Sequence, residues 1–158
     1  MTNVRDCIAI ENARIIFRNF SGEESKFNRA GSRNFCVVIS DGEFANKLSD
    51  IGWNVRALKP RDPDDEELHY LQVTVNFDSF PPKVYLITRN RRIPLDQESI
   101  ASLDYAEIAN VDLTIRPYNW EANGKFGVKA YLKNMYVTIV EDAFADKYSG
   151  LEGPDDID

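Results

Sequence analysis

The chain has 158 residues, 43% apolar and 11% aromatic, enough for one domain with a real core. Its 26 acids and 19 bases give a net charge of −7, and the excess sits at one end: residues 141–158 hold seven acids (Glu141, Asp142, Asp146, Glu152, Asp155, Asp156 and Asp158) against Lys147, leaving 19 acids and 18 bases elsewhere. No apolar run approaches the ~20 residues that span a bilayer, and Cys7, Cys36 and His69 lack the spacing of a disulfide framework or a metal clip.

Met1–Asp6 lacks the basic and apolar regions of a signal peptide, so the expectation is a cytoplasmic protein with no membrane contact. Both cysteines lie in apolar runs and read as buried thiols. No metal or cofactor is expected.

The first strand is predicted over Cys7–Phe20, followed by a loop at 21–26 and a second strand over Phe27–Ile39, interrupted near Ala30-Gly31-Ser32. Asp41 is an N-cap type residue. Phe44, Ala45, Leu48 and Ile51 follow at helical spacing, and Gly52 ends the helix. A short strand is expected over Trp53–Leu58, then an exposed charged loop at 59–67. From His69 to Phe77 the alternation sends Leu71, Val73, Val75 and Phe77 one way and Tyr70, Gln72, Thr74 and Asn76 the other. Pro81-Pro82 breaks the chain, a strand covers Val84–Thr88, and a short helix or turn covers Asp96–Leu103.

Two long strands, Tyr105–Glu121 and Lys125–Val140, flank Asn123-Gly124. Asn-Gly favours the type I′ turn of a two-residue hairpin, which needs positive φ at both positions. That loop sets the register: Ala122 faces Lys125, Trp120 faces Gly127, Tyr118 faces Lys129, Arg116 faces Tyr131 and Thr114 faces Lys133. The opposite side pairs Ile115 with Leu132, Pro117 with Ala130 and Asn119 with Val128, and should meet the core. One face therefore gathers Arg116, Tyr118, Trp120, Lys129, Tyr131 and Lys133, with Gly127 leaving room beside Trp120. Flat rings accept stacked bases and neighbouring cations neutralise phosphate. Beyond Lys133 the apolar residues move to Met135, Val137 and Ile139, which predicts a bulge near Asn134.

Further cations and rings could flank a bound strand: Lys125 at the hairpin tip, Phe27, Arg29 and Arg33 in the first hairpin, and Arg89, Arg91 and Arg92 after the strand at 84–88. Singly, such residues are ordinary surface charges, and tyrosine and tryptophan also favour strands for their own sake. No phosphate loop, nucleophile elbow or metal motif is present. The one enzymatic alternative is a magnesium nuclease using Asp104, Glu107 and Asp112.

With its two long strands, its helix, the stretch Asn34-Phe35-Cys36-Val37-Val38-Ile39 followed by Asp41-Gly42 and Gly52-Trp53, the aromatic hairpin and the acidic end, the chain resembles the OB-fold single-stranded DNA-binding proteins of bacteriophages, the T7-type group. The resemblance implies sequence-independent binding in a basic groove with stacking aromatics. It also implies an acidic tail that contacts replication proteins and regulates access of DNA. Such tails often end in an aromatic residue, whereas this chain ends at Asp158, so a partner pocket needing a terminal ring would stay unfilled. The helix at 41–52 also comes early for the simplest five-stranded OB barrel.

The expectation is an all-β fold with one or two short helices: an elaborated OB-like barrel over 1–144 and a flexible, disordered acidic tail over 145–158, with Glu152, Asp155, Asp156 and Asp158 regulatory. The expected role is non-catalytic binding of single-stranded DNA in phage replication or recombination. Tail contacts to replication or recombination proteins are expected, and a homo-oligomer is left open. The alternative is a protein-interaction or virion structural domain using the same aromatic face.

Overall fold

The computed structural model describes residues 4–26, 28–79 and 81–141. The region expected to be a single first strand is two: β1 (Ile8–Ile10) and β2 (Ile15–Asn19). Between them Asn12 adopts a left-handed φ of 52°, a conformation asparagine tolerates better than most residues. Its N–H donates to the Asp112 carboxylate at 3.0 Å. The second strand, β3 (Arg33–Ile39), starts six residues later than expected, because residues 28–32 lie outside any strand. Helix α1 (Gly42–Ile51) is capped as its sequence implies: Asp41 accepts from the N–H groups of Glu43 and Phe44, and the Gly52 N–H closes on Leu48 and Ser49.

Then come β4 (Val55–Leu58), β5 (Leu68–Val75), β6 (Lys83–Ile87), β7 (Arg92–Leu95), a 3-10 helix (Ile100–Asp104), β8 (Ile108–Ala122) and β9 (Lys125–Ile139). Strand β7 was not among the expected strands. Its Pro94 pairs only at an outer strand, where a missing N–H is tolerated.

The strand order is β1-β8-β9-β5-β3-β2. The ring closes through the first segment, because β1 pairs with β8 while β2 pairs with β3. At the hand-over, the Ala13 N–H donates to Val111 and the Val38 N–H donates to Arg14. Five barrel strands result: β1 with β2, β3, β5, β8 and β9. The last, β9, lies parallel to the third, β5. This is an OB-type barrel, elaborated by β4 on β5 and by the β6–β7 hairpin on β9. Two helical segments serve it. Helix α1 follows the second barrel strand, and the 3-10 helix, between the third and fourth, sends Ile100 and Leu103 into the core with no exposure.

The inward face is the apolar set the alternation selects: Phe35, Val37 and Ile39 of β3, Leu71, Val73 and Val75 of β5, Ile115 of β8, and Ala130 and Leu132 of β9. Trp53 is core at 4% exposure. Cys36 is buried, and burial pushes its thiol up to about 11 against an opposing pull from the Arg56 charge. Cys7 corrects its expectation. It precedes β1 at the edge of the ring and is exposed.

Candidate nucleic-acid interface

The β8–β9 hairpin follows its sequence closely. Asn123 and Gly124 both have positive φ, 53° and 77°, as a type I′ turn requires. From there the pairs run Ala122 with Lys125, Trp120 with Gly127, Tyr118 with Lys129 and Arg116 with Tyr131. The expected pairing of Thr114 with Lys133 is corrected. Thr114 faces Asn134 while Ile115 faces Leu132, so Lys133 is the extra, exposed residue of a bulge. The bulge lets Leu132 and Met135, three apart, both point inward.

The outer face of this hairpin is a compact aromatic and cationic platform. The rings of Tyr118 and Tyr131 lie 5.4 Å apart, tilted by 35°. The Arg116 guanidinium sits 5.3 Å and the Lys129 ammonium 5.4 Å from the Tyr131 ring centre. Tyr118 is 47% and Trp120 39% exposed. Trp120 lies across the bare backbone of Gly127: a Cβ there would come within 2.5 Å of the indole Cζ2. Any side chain at 127 would displace the ring.

The platform continues across the barrel. Asn34, Thr74, Tyr131 and Arg116 are successive partners on β3, β5, β9 and β8, a row about 14 Å wide at ordinary strand spacing. Two concavities flank it. A cavity of ≈ 490 Å³ opens where β4 and β9 diverge from β5, lined among others by Trp53, Asn54, Gln72, Trp120 and Lys129. A smaller one of ≈ 190 Å³ lies among Arg33, Thr74, Asn76, Phe77, Lys129 and Tyr131. Arg33 stands 5.8 Å over the Phe77 ring, and its buried Nε has no hydrogen-bond partner. Beside Arg33, Asp96 accepts from the Ser99 N–H and Oγ–H and from the Glu98 N–H. These bonds hold its carboxyl below the ordinary value.

The remaining expected residues fall elsewhere. Lys125 is exposed at the hairpin tip. Arg29 lies in the β2–β3 loop, lining a shallow cavity with Lys26 and Asn28. Arg89 pairs with Glu141, Nε to Oε2 at 3.7 Å, and Arg91 closes a tight turn with Thr88. Arg92 covers the Tyr85 ring at 4.9 Å. Phe27 and the tail acids Glu152, Asp155, Asp156 and Asp158 lie outside the described residues, as does the 144/145 boundary.

Two of the three carboxylates of the nuclease alternative, Asp104 and Asp112, serve the fold. Asp104 accepts from the Phe20 and Ser21 N–H groups at 2.6 and 3.0 Å, and Asp112 accepts from Asn12 and Asn110. Among the described residues no His, Cys, Asp and Glu group could hold a metal ion, and no helix is long and apolar enough to cross a membrane.

Sequence reasoning missed Phe17, Arg56, Tyr85 and Tyr136. Phe17 and Tyr70 meet edge to face at 5.9 Å on the outer side of the barrel, with Arg56 paired opposite Tyr70. Tyr85 and Tyr136 stack at 5.3 Å. The outward parity of Tyr70 was legible in its alternating strand, whereas Phe17, inside Ile15-Ile16-Phe17-Arg18, gives no signal of exposure.

The sequence profile of the family described as "Putative phage ssDNA-binding domain" matches residues 2–157. No curated protein matches the sequence. Among solved structures, the single-stranded DNA-binding protein of bacteriophage Enc34 in complex with ssDNA superposes with a TM-score of 0.57 at 13% identity, covering 87% of this chain and 89% of that one. Another structure of the Enc34 protein gives 0.56 at 13% identity, covering 96% and 90%. At that identity the likeness is one of fold. A single-stranded DNA-binding protein encoded by bacteriophage T7 covers 96% of this chain and 97% of its own at 8% identity, with a TM-score of 0.42, too weak to carry an argument.

Proposed function

The chain belongs to the phage single-stranded-DNA-binding domain family, and from that premise we propose that it is a non-catalytic, sequence-independent coat for single-stranded DNA, acting in phage replication or recombination in the host cytoplasm. The observation that carries the residue-level reading is the hairpin platform. Tyr118, Trp120 and Tyr131 offer ring faces, and Arg116 and Lys129 stand within 5.3 and 5.4 Å of the central ring. Stacking on an aromatic is worth ~1–3 kcal/mol per base and is indifferent to sequence, since every base has a π face.

The platform lies where an OB barrel receives oligonucleotides, beside the face of its second and third strands and at its last hairpin. Arg33, which lines the smaller cavity, is suited to a phosphate between that hairpin and the β2–β3 loop. Arg29 would close over the same end, while Lys125 and Lys133 add charge along the hairpin. Arg89, Arg91 and Arg92 would act at the far side, near the root of the tail. The solved Enc34 relative, whose fold this chain shares, is in complex with ssDNA, which fits the reading.

Fluorescence anisotropy of labelled oligo-dT and a matched duplex, titrated at low and moderate salt, tests it. The expected result is tight, salt-sensitive binding of oligo-dT with far weaker duplex binding. Absence of oligo-dT binding, with and without the acidic end, would overturn the reading and turn the aromatic face into a protein interface.

A further inference from the structure

Phe17 is held in a conformation that a residue with a Cβ avoids. Its φ is 53°, inside a strand and in a register shift between Ile16 and Asn19. Left-handed φ at a bulky residue is a backbone outlier, and such strain persists where surrounding structure enforces it. The strain does not serve burial, since the ring is 58% exposed. It delivers the ring to the outer side of the barrel, edge-on to Tyr70 at 78° between planes. In a T-shaped pair one ring's face takes the other's edge and the remaining faces stay open.

The surroundings match those of the hairpin platform. Arg56 of β4 is exposed and directly opposite Tyr70. As the cross-strand partner of Tyr70 it shares that residue's face of the sheet. Tyr70, Gln72 and Thr74 alternate along the outer side of β5, and Thr74 is the partner of Tyr131. Tyr70 therefore stands about 13 Å from the Tyr131 row at strand rise, with the ≈ 490 Å³ cavity bordered by Gln72, Thr74 and Trp120 between them.

Resting on the function proposed above, we infer that Phe17 and Tyr70, with Arg56 as their phosphate partner, form a second base-stacking position. The single strand then crosses β5 rather than ending at the hairpin.

The test uses the full chain and two probes, oligo-dT of about 4 and about 16 nucleotides, the range one OB fold occupies. Phe17→Gly removes the ring while suiting the left-handed backbone, so its melting temperature should equal or exceed that of the unaltered protein. Its affinity for the longer probe should fall at least about fivefold, the effect of losing one stacked base, with the shorter probe little changed. Phe17→Trp should bind as the unaltered protein does, and Arg56→Gln should flatten the salt slope by about 0.7. Equal binding of both probes by Phe17→Gly would overturn the inference, as would an equal loss in Phe17→Trp. If Phe17→Gly binds normally while a hairpin-platform variant does not, this inference alone falls; if the unaltered protein ignores oligo-dT, both readings fall.

Discussion

Strand β9 contributes one ring to each of two tyrosine pairs, one on each side of the bulge at Lys133, and they are built for different ends. Tyr118 and Tyr131 lie 5.4 Å apart but tilted by 35°, with Tyr118 nearly half exposed. Tyr85 and Tyr136 lie 5.3 Å apart at only 16°, and the Arg92 guanidinium covers the Tyr85 ring. The first pair leaves ring surface open. The second lies flatter, stacking β6 on β9 beside the enclosed Val84, with Arg92 over one ring while Tyr136 stays 38% exposed. The residues facing them on β8 differ in sign: Arg116 faces Tyr131 and Asp112 faces Tyr136. A phosphate would be drawn to the first and repelled from the second. Aromatic content on a strand is therefore a poor guide to binding until ring orientation and the facing charge are known.

The largest expected effect separates the pairs outright. Replacing Tyr118, Trp120 and Tyr131 together by Ala should weaken oligo-dT binding by more than about 100-fold, the sum of three modest stacking losses. Circular dichroism should show the barrel intact, because these rings lie outside the core. Unchanged affinity in a folded triple variant would abolish the distinction. The reciprocal variant, Tyr85→Ala with Tyr136→Ala, should leave affinity within about twofold. It should lower the melting temperature by roughly 5–10 °C, since it loses a stacked pair and its burial. A large loss of DNA binding there would show that the closed stack opens to receive a base.

Much of this contrast was legible in the chain. Asn123-Gly124 fixed the hairpin register because only a primed turn suits those residues, so the pairs from Ala122 to Ile115 followed by counting. The count failed at Thr114, where the bulge intervenes. The shift of apolar residues to Met135 and Val137 announced the bulge but did not say which residue would be extruded. The break at Asn12 was hidden because Cys7–Phe20 looks like one strand, and its cause is remote: β1 needs β8 and β2 needs β3. Tyr85 and Tyr136 meet through a parallel pairing of strands far apart in sequence, which no local pattern encodes. Phe17 was invisible for a similar reason, since its exposure comes from backbone conformation rather than from alternation.

Gly127→Ala sharpens the comparison without touching an aromatic residue. An alanine Cβ would lie 2.5 Å from Trp120 Cζ2 and 2.6 Å from Cε2, so the indole must leave its seat. Binding should fall about fivefold or more, as for the loss of one stacked base, and the Trp120 emission should change before any DNA is added. The hairpin fold should survive, because alanine suits a strand better than glycine does. A variant that binds normally with unchanged emission would mean that the platform does not depend on where Trp120 is seated.

The smallest effect concerns the acids at the chain's end, which the fold roots beside the closed stack rather than the open platform. Glu141 accepts from the Arg89 N–H at 3.1 Å and pairs with its guanidinium, at the turn between β6 and β7. Residues 142–158 follow, with six acids and one base. Seventeen residues reach at most about 61 Å when extended, so distance does not keep these acids from the platform. Competition between them and phosphate for Arg116 and Lys129 is then a matter of charge, and salt must screen it. Deleting residues from Ala145 onward should strengthen oligo-dT binding about two- to fivefold at low salt, and the gain should vanish near 0.3 M, roughly, where the screening length is only several ångströms. Combining the deletion with Arg116→Gln should shrink the gain, because one of the contested cations is gone. Equal affinities at low salt, with and without the tail, would show that the acids rooted at Glu141 do not reach the platform in competition with DNA.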